Sequence, residues 1–220
     1  MGRLLTEQNK LKEALEIYNE ALRRRPDDYA PQSIYNMIGE VYSKLGNMLE
    51  AEKWYRKALQ AKADHIPAFL TLARLYQHRG NFDKAEDLYR SALTLAPDDY
   101  SVYEHYGQFL GDMNRYAESA KILEQAIGLG NNDFQLVFNA ANTLRQANDN
   151  ERAEEYYIKA TKISPKEAAA HMNLGAIYHL NGKLLKAEES YLEALRLKPN
   201  DSVTLSNLKK LRNLIAAKKL

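Results

Sequence analysis

Asn139, Asn173 and Asn207 lie 34 residues apart. A primary amide donates and accepts hydrogen bonds at once, so a column of amides at constant spacing can pair with the main chain of an extended polypeptide without reading its side chains. Nothing about a helix interior calls for these residues, because an amide brings only moderate helix propensity and no apolar surface. The same interval runs backward through His105, Thr71 and Met37. One place earlier stand Leu70, Phe138 and Met172; three places later stand Arg74, Gln108 and Asn142, with Arg145 and His179 one turn further on. A structural use competes with the binding one, since asparagine side chains also satisfy neighbouring turns. Both readings stay open at this stage.

Other residue types offer less chemistry. None of the five histidines, His65, His78, His105, His171 and His179, lies three or four residues from another, so no helical face presents two imidazoles to a metal. His171 falls on a core position. The acidic pairs Asp27 with Asp28, Asp98 with Asp99, and Glu188 with Glu189 sit at turns or on outward faces, where carboxylates are solvated rather than tuned for acid–base work. No nucleophile–base order and no glycine-rich phosphate cradle is present. This stretch is expected to carry no catalytic residue and no metal.

The elements that would hold the amides follow from a 34-residue period. Gly39, Ala73, Gly107, Ala141 and Gly175 form one small-residue column; Ala51, Ala85, Ser119, Ala153 and Ala187 form another; Ala58, Ala92, Ala126, Ala160 and Ala194 form a third. Small residues there let antiparallel helices approach closely. Tyr42, Tyr76 and Tyr178, and then Tyr55, Tyr89, Tyr157 and Tyr191, fill the space beside them. Pro97, Pro165 and Pro199 stop the second helix of a pair, because proline supplies no N–H to the ladder. The pattern resembles the tetratricopeptide repeat (TPR) and predicts an all-α, right-handed solenoid of antiparallel helix pairs.

Complete units run 32–65, 66–99, 100–133, 134–167 and 168–201. Residues 202–220 begin a further first helix, but Lys209 stands where Gly or Ala belongs, which marks a C-terminal capping helix. Residues 1–31 read as a truncated repeat, with Gly2, Ala14, Ala21 and Pro26 in frame and three additional residues, Tyr29 to Pro31, before the next unit. That start suggests a C-terminal piece of a longer array. Unit 100–133 is the least regular: Ser119 replaces Ala, Asn131 replaces Pro, and Gly128 and Gly130 flank a helix end, which suggests a softer joint there.

Composition excludes several classes. The 31 basic and 29 acidic residues nearly cancel, so no nucleic-acid footprint exists, and seven of the 15 tyrosines sit on packing columns rather than on a stacking platform. Basic charge collects only at the end, in Lys209, Lys210, Arg212, Lys218 and Lys219, where it suits a helix C-terminus. Without cysteine there is neither disulfide nor thiolate metal site. No apolar run approaches the roughly 18 to 20 residues of a membrane span, and no signal peptide precedes Arg3.

The asparagine column is similar to the one in the repeats of O-GlcNAc transferases. A chaperone-tail clamp would place Lys or Arg at the second and fifth places of the units, which here are Ser33, Pro67, Ser101, Gln135 and Ala169, then Asn36, Leu70, Glu104, Phe138 and Met172. A narrower resemblance rests on "AEKWYRKALQAKADHIPAFLTLARL", "YGQFL", "VFNAANTLRQA", "HMNLGAIYHLNGKLLKAEESYLEALRLKPND" and "SNLKKL". These runs resemble the C-terminal repeats of the transmembrane-and-tetratricopeptide O-mannosyltransferases. The resemblance implies an endoplasmic-reticulum enzyme whose membrane half transfers mannose from dolichyl phosphate mannose to Ser or Thr of cadherin or protocadherin domains. In that case these repeats face the lumen and present substrate. A cytosolic TPR scaffold with no enzymatic parent and the arm of a soluble sugar transferase are the alternatives. Asn200, Asp201 and Ser202 form the chain's N-glycosylation sequon, which bears on compartment.

Overall fold

The computed structural model describes residues 1–24, 30–130 and 133–218. Among them are thirteen helices and no strand. They fall into two compact units, residues 1–105 and 106–220. The first holds α1 (Gly2–Glu7), α2 (Leu11–Arg24), α3 (Gln32–Lys44), α4 (Met48–Ala61), α5 (Ile66–His78), α6 (Phe82–Leu95) and the start of α7 (Tyr100–Asp112). The second holds the rest of α7, then α8 (Tyr116–Gly128), α9 (Phe134–Gln146), α10 (Asn150–Ile163), α11 (Ala168–Leu180), α12 (Leu184–Leu197) and α13 (Ser202–Lys218). Consecutive helices pack in antiparallel pairs, α3 on α4, α5 on α6, α9 on α10 and α11 on α12, and each unit is a stack of such pairs.

The small-residue column is explained by the ring that lies against it. A Cβ added at Gly39 would stand 2.5 Å from Tyr55 ring carbons, and one at Gly175 would stand 2.7 Å from Tyr191. Gly2 has the same relation to Tyr18, at 2.5 Å, so the short α1 keeps the packing frame of a first helix. In the irregular unit the ring is replaced by Leu123, 2.6 Å from a Cβ at Gly107. Ser119, which breaks the alanine column beside it, is buried and donates its hydroxyl to the Gly107 carbonyl at 2.6 Å. The hydrogen bond offsets the cost of burying an oxygen at this crossing.

Turns between paired helices are built on one left-handed residue each. Gly46, Gly80, Asn114, Asn148 and Gly182 follow the 34-residue interval with φ of 77°, 72°, 58°, 62° and 74°. Asn9, at φ 60°, precedes Gly46 by one period plus the three additional residues. Only Gly and Asn adopt this region without a large penalty. The next residue then caps the second helix: Asn47, Asn81 and Asp149 accept from the main-chain N–H of Glu50, Lys84 and Arg152.

Neighbouring pairs are tied by a column of glutamates on the second helices. Glu52 accepts from the Tyr76 hydroxyl at 2.7 Å and from Arg79 at 2.6 Å. Glu154 accepts from Asn181 at 2.8 Å and from Lys183 at 2.6 and 2.7 Å. Glu188 accepts from Arg212 of α13 at 2.6 Å. Burial works against ionising Glu52 and Glu154, yet hydrogen bonds, from Tyr76 and Arg56 and from Lys183 and Asn181 respectively, outweigh it and hold both below the usual carboxylate range.

Helix α13 buries Leu208 and Leu211 and leaves Lys209 and Lys210 exposed. Asp201 accepts from the Thr204 N–H at 3.0 Å and hydroxyl at 2.7 Å, and these bonds, with Lys198, lower its pKa to about 2. Two expectations need correction. Glu188 is not merely solvated, since it pairs with Arg212 of α13 at 2.6 Å. His171 is half-buried rather than core, and its Nε2 lies 2.9 Å from the Pro165 carbonyl oxygen. Pro26, the Asp27 and Asp28 pair, Tyr29, Asn131 and Lys219 lie outside the described residues. The division into units falls inside α7, upstream of Gly128 and Gly130.

Candidate functional site

In the second unit the asparagine column lies on the first helices: Asn139 on α9, Asn173 on α11 and Asn207 on α13, all half-buried. Period 34 brings them to equivalent places, but their partners differ. Asn139 Oδ1 accepts from Gln135 Nε2 at 2.9 Å, one turn earlier on the same helix, and the Asn139 carbonyl accepts from Thr143. Asn173 Nδ2 donates across to Asn142 Oδ1 on α9 at 3.1 Å. Among the described residues no hydrogen bond joins one member of the column to the next.

Asn142 is the hub of this face. Its Oδ1 also accepts from the Tyr157 hydroxyl at 2.6 Å, and that hydroxyl in turn accepts from Arg145 Nε at 3.3 Å. Tyr157 is fully buried on α10, and burial raises its pKa against the opposing pull of Arg145. Phe138 stands edge-on to the Tyr157 ring, with centroids 6.0 Å apart, and stacks on Phe134 at 5.3 Å. Met172 and His179 are half-buried on α11. The face therefore presents amides and a guanidinium over an aromatic floor, which suits hydrogen bonding to main-chain groups beside apolar contact.

The first unit places its share of the column differently. Thr71 is buried and its hydroxyl contacts Asn36 Oδ1 at 2.7 Å and the Pro67 carbonyl at 2.8 Å, while Leu70 is buried in the core. Neither is presented outward. Arg74 is exposed, and His105 is half-buried, its pKa lowered by burial and then by Arg74. Met37 instead lines a cleft of about 380 Å³ together with Asn36, Glu40, Lys44 and His65. Burial raises the Glu40 pKa, with Arg74, Arg3 and Lys44 opposing. The residues of this cleft occupy several places of the repeat rather than one column, so the 34-residue interval does not reveal it.

Asn200 is exposed in the turn between α12 and α13, beside the capping Asp201. Among the described residues no cluster of three or more His, Cys, Asp or Glu is arranged to hold a metal, and no helix is long and apolar enough to cross a membrane.

Comparison with known proteins agrees with this architecture. Family models described as tetratricopeptide repeat match residues 1–28, 31–98, 70–134 and 138–202. Human protein O-mannosyl-transferase TMTC2 is 49% identical over 215 residues, a match covering 98% of this chain and 26% of that protein. Its mouse counterpart is 49% identical over 75 residues, covering 34% of this chain and 9% of that protein. The chain thus spans about a quarter or less of the length of these relatives. The crystal structure of YrrB, described as a TPR protein with an unusual peptide-binding site, superposes with TM-score 0.68 at 21% identity, over 92% of this chain and 98% of that one. The C-terminal part of a TPR repeat-containing protein from Cytophaga hutchinsonii gives 0.75 at 15% identity, over 98% and 85%. These two likenesses speak to fold alone. With the 70–134 and 138–202 matches covering more than half of the sequence, and with helix pairs, small-residue crossings and turns all following the 34-residue interval, the chain belongs to the tetratricopeptide repeat family.

Proposed function

We propose that this protein-binding TPR solenoid is the substrate-recognition region of a membrane O-mannosyltransferase, facing the lumen of the endoplasmic reticulum and holding an extended segment of a cadherin-type or protocadherin domain. The observation that carries the proposal is the 49% identity to human protein O-mannosyl-transferase TMTC2 across 98% of the chain. Amides on α9, α11 and α13 supply the recognition chemistry, with Phe138, Met172 and Arg145 beside them. Dolichyl phosphate mannose, the mannosyl donor, and the acidic catalytic residues belong in this reading to the rest of the parent protein; no residue of this chain is assigned to either.

The test is topology. A tag fused after Leu220 of the full-length protein should resist protease in intact microsomes and become sensitive once they are opened with detergent. A tag digested in intact microsomes would place the repeats in the cytosol and favour a scaffold with no luminal enzyme.

A further inference from the structure

Hydrogen bonds between groups that both donate and accept have a direction, and that direction must be set by a group with no choice. Arg145 is such a group, because a guanidinium donates and never accepts. Its Nε donates to the Tyr157 hydroxyl oxygen at 3.3 Å. The single hydroxyl proton of Tyr157 is then free to go to Asn142, 2.6 Å away, and the atom that receives it must be Oδ1. That fixes the amide of Asn142. Asn173, 3.1 Å from the same oxygen, meets it as a donor through Nδ2. Among the described residues Asn142 Nδ2 and Asn173 Oδ1 are left without partners.

We infer that the relay Arg145, Tyr157, Asn142, Asn173 displays one donor on α9 and one acceptor on α11, and so binds an extended polypeptide in a single direction, N-terminus towards α13 and C-terminus towards α9. The inference rests on the proposed peptide-binding role of this face. In an extended chain the N–H and C=O of one residue point the same way, as they do in the paired residues of an antiparallel ladder. The N–H meets Asn173 Oδ1 and the C=O meets Asn142 Nδ2. Since N precedes C=O within a residue, the ligand runs against the order of the repeats. Arg145 and Tyr157 are positioning residues, which need not touch the ligand. In the preceding unit Leu123, without a hydroxyl, takes the place of Tyr157, and in the following one Ala176 takes the place of Asn142, so neither repeats the device.

Two measurements on the whole chain test this. The first needs no ligand: water exchange of the Asn side-chain amide protons by NMR. One Asn173 proton is expected to be slowed and neither Asn142 proton; in Tyr157→Phe, with helicity unchanged, the contrast should vanish. A slowed Asn142 amide, or a Tyr157→Phe protein with the wild-type pattern, overturns the relay. The second uses a 12-residue peptide of alternating threonine and serine carrying a nitroxide at either end. The N-terminal label should broaden signals around Asn207 and the C-terminal label those around Asn139, and Tyr157→Phe should weaken binding by about three- to tenfold. The reverse pattern, or equal broadening by both labels, overturns the direction. A wild-type chain that does not bind the peptide overturns both the direction and the groove reading, and the exchange pattern still reports separately whether the relay exists.

Discussion

The Gly175 backbone lies directly against the Tyr191 ring: a Cβ at Gly175 would stand 2.7 Å from Cδ1 and Cε1. Tyr191 is fully buried, and burial raises its pKa to about 12, so the ring has no solvent into which to retreat. Replacing Gly175 by Leu forces the two helices apart. The expected cost is about 1 to 3 kcal/mol, read as a lower thermal midpoint of the purified variant. An unchanged midpoint would contradict the packing frame.

Gly182 tests a different cause. No atom lies within 4 Å of a Cβ placed there, yet its φ is 74°. Gly182→Ala should therefore lose about 1 kcal/mol through backbone conformation alone. Asn148→Gly, at the equivalent turn, should cost far less, because both residues tolerate that region. Chemical denaturation of the two variants side by side separates conformation from sterics.

Acid should loosen the second unit in a defined window. Glu154 titrates below its usual 4.5 when folded, so the stability it contributes is fully present above that pH and is lost as pH falls through the lower folded value. Asp201, lowered from 3.8 to about 2, keeps its share to still lower pH. Glu40, raised by burial in the first unit, acts with the opposite sign. Thermal midpoints between pH 6 and 3 should fall for the wild type and fall less for Glu154→Gln; parallel curves would refute the role given to Glu154.

Compartment is readable at Asn200, which is exposed in a turn. Full-length protein made in secretory cells should carry a glycan there, removed by an endoglycosidase with a shift in mobility that Asn200→Gln abolishes. A shifted band places the repeats in the lumen; a cytosolic signal from a tag fused after Leu220 would contradict that position.

Residues that pack by size were legible in the sequence, since a close crossing admits only Gly, Ala or Ser and a large apolar side chain, Tyr at most units and Leu123 beside Gly107, fills the gap beside it. Turn residues were harder to see because Gly46, Gly80 and Gly182 alternate with Asn114 and Asn148, and only the shared left-handed φ unites the two types. The glutamate ties look like solvated surface in the sequence, because their partners, such as Lys183 for Glu154, lie in the next repeat at offsets that vary. The link from Asn173 to Asn142 was hidden for a related reason: it joins different places of successive units, 31 residues apart, so a search for columns passes it by. Thr71 illustrates the converse, as it stands in the column but is buried with its hydroxyl already engaged.

The central claim is that amides on the first helices of the second unit hold an extended polypeptide. Changing Asn139, Asn173 and Asn207 together to Ala removes them, and a purified cadherin-type domain titrated calorimetrically into the wild-type and triple-variant chains measures the consequence. Each lost hydrogen bond is worth about 0.5 to 1.5 kcal/mol net, so affinity should fall roughly ten- to a thousandfold, with helicity and melting nearly unchanged. A folded triple variant that binds with undiminished affinity, or one that melts at a markedly lower temperature, would contradict the account.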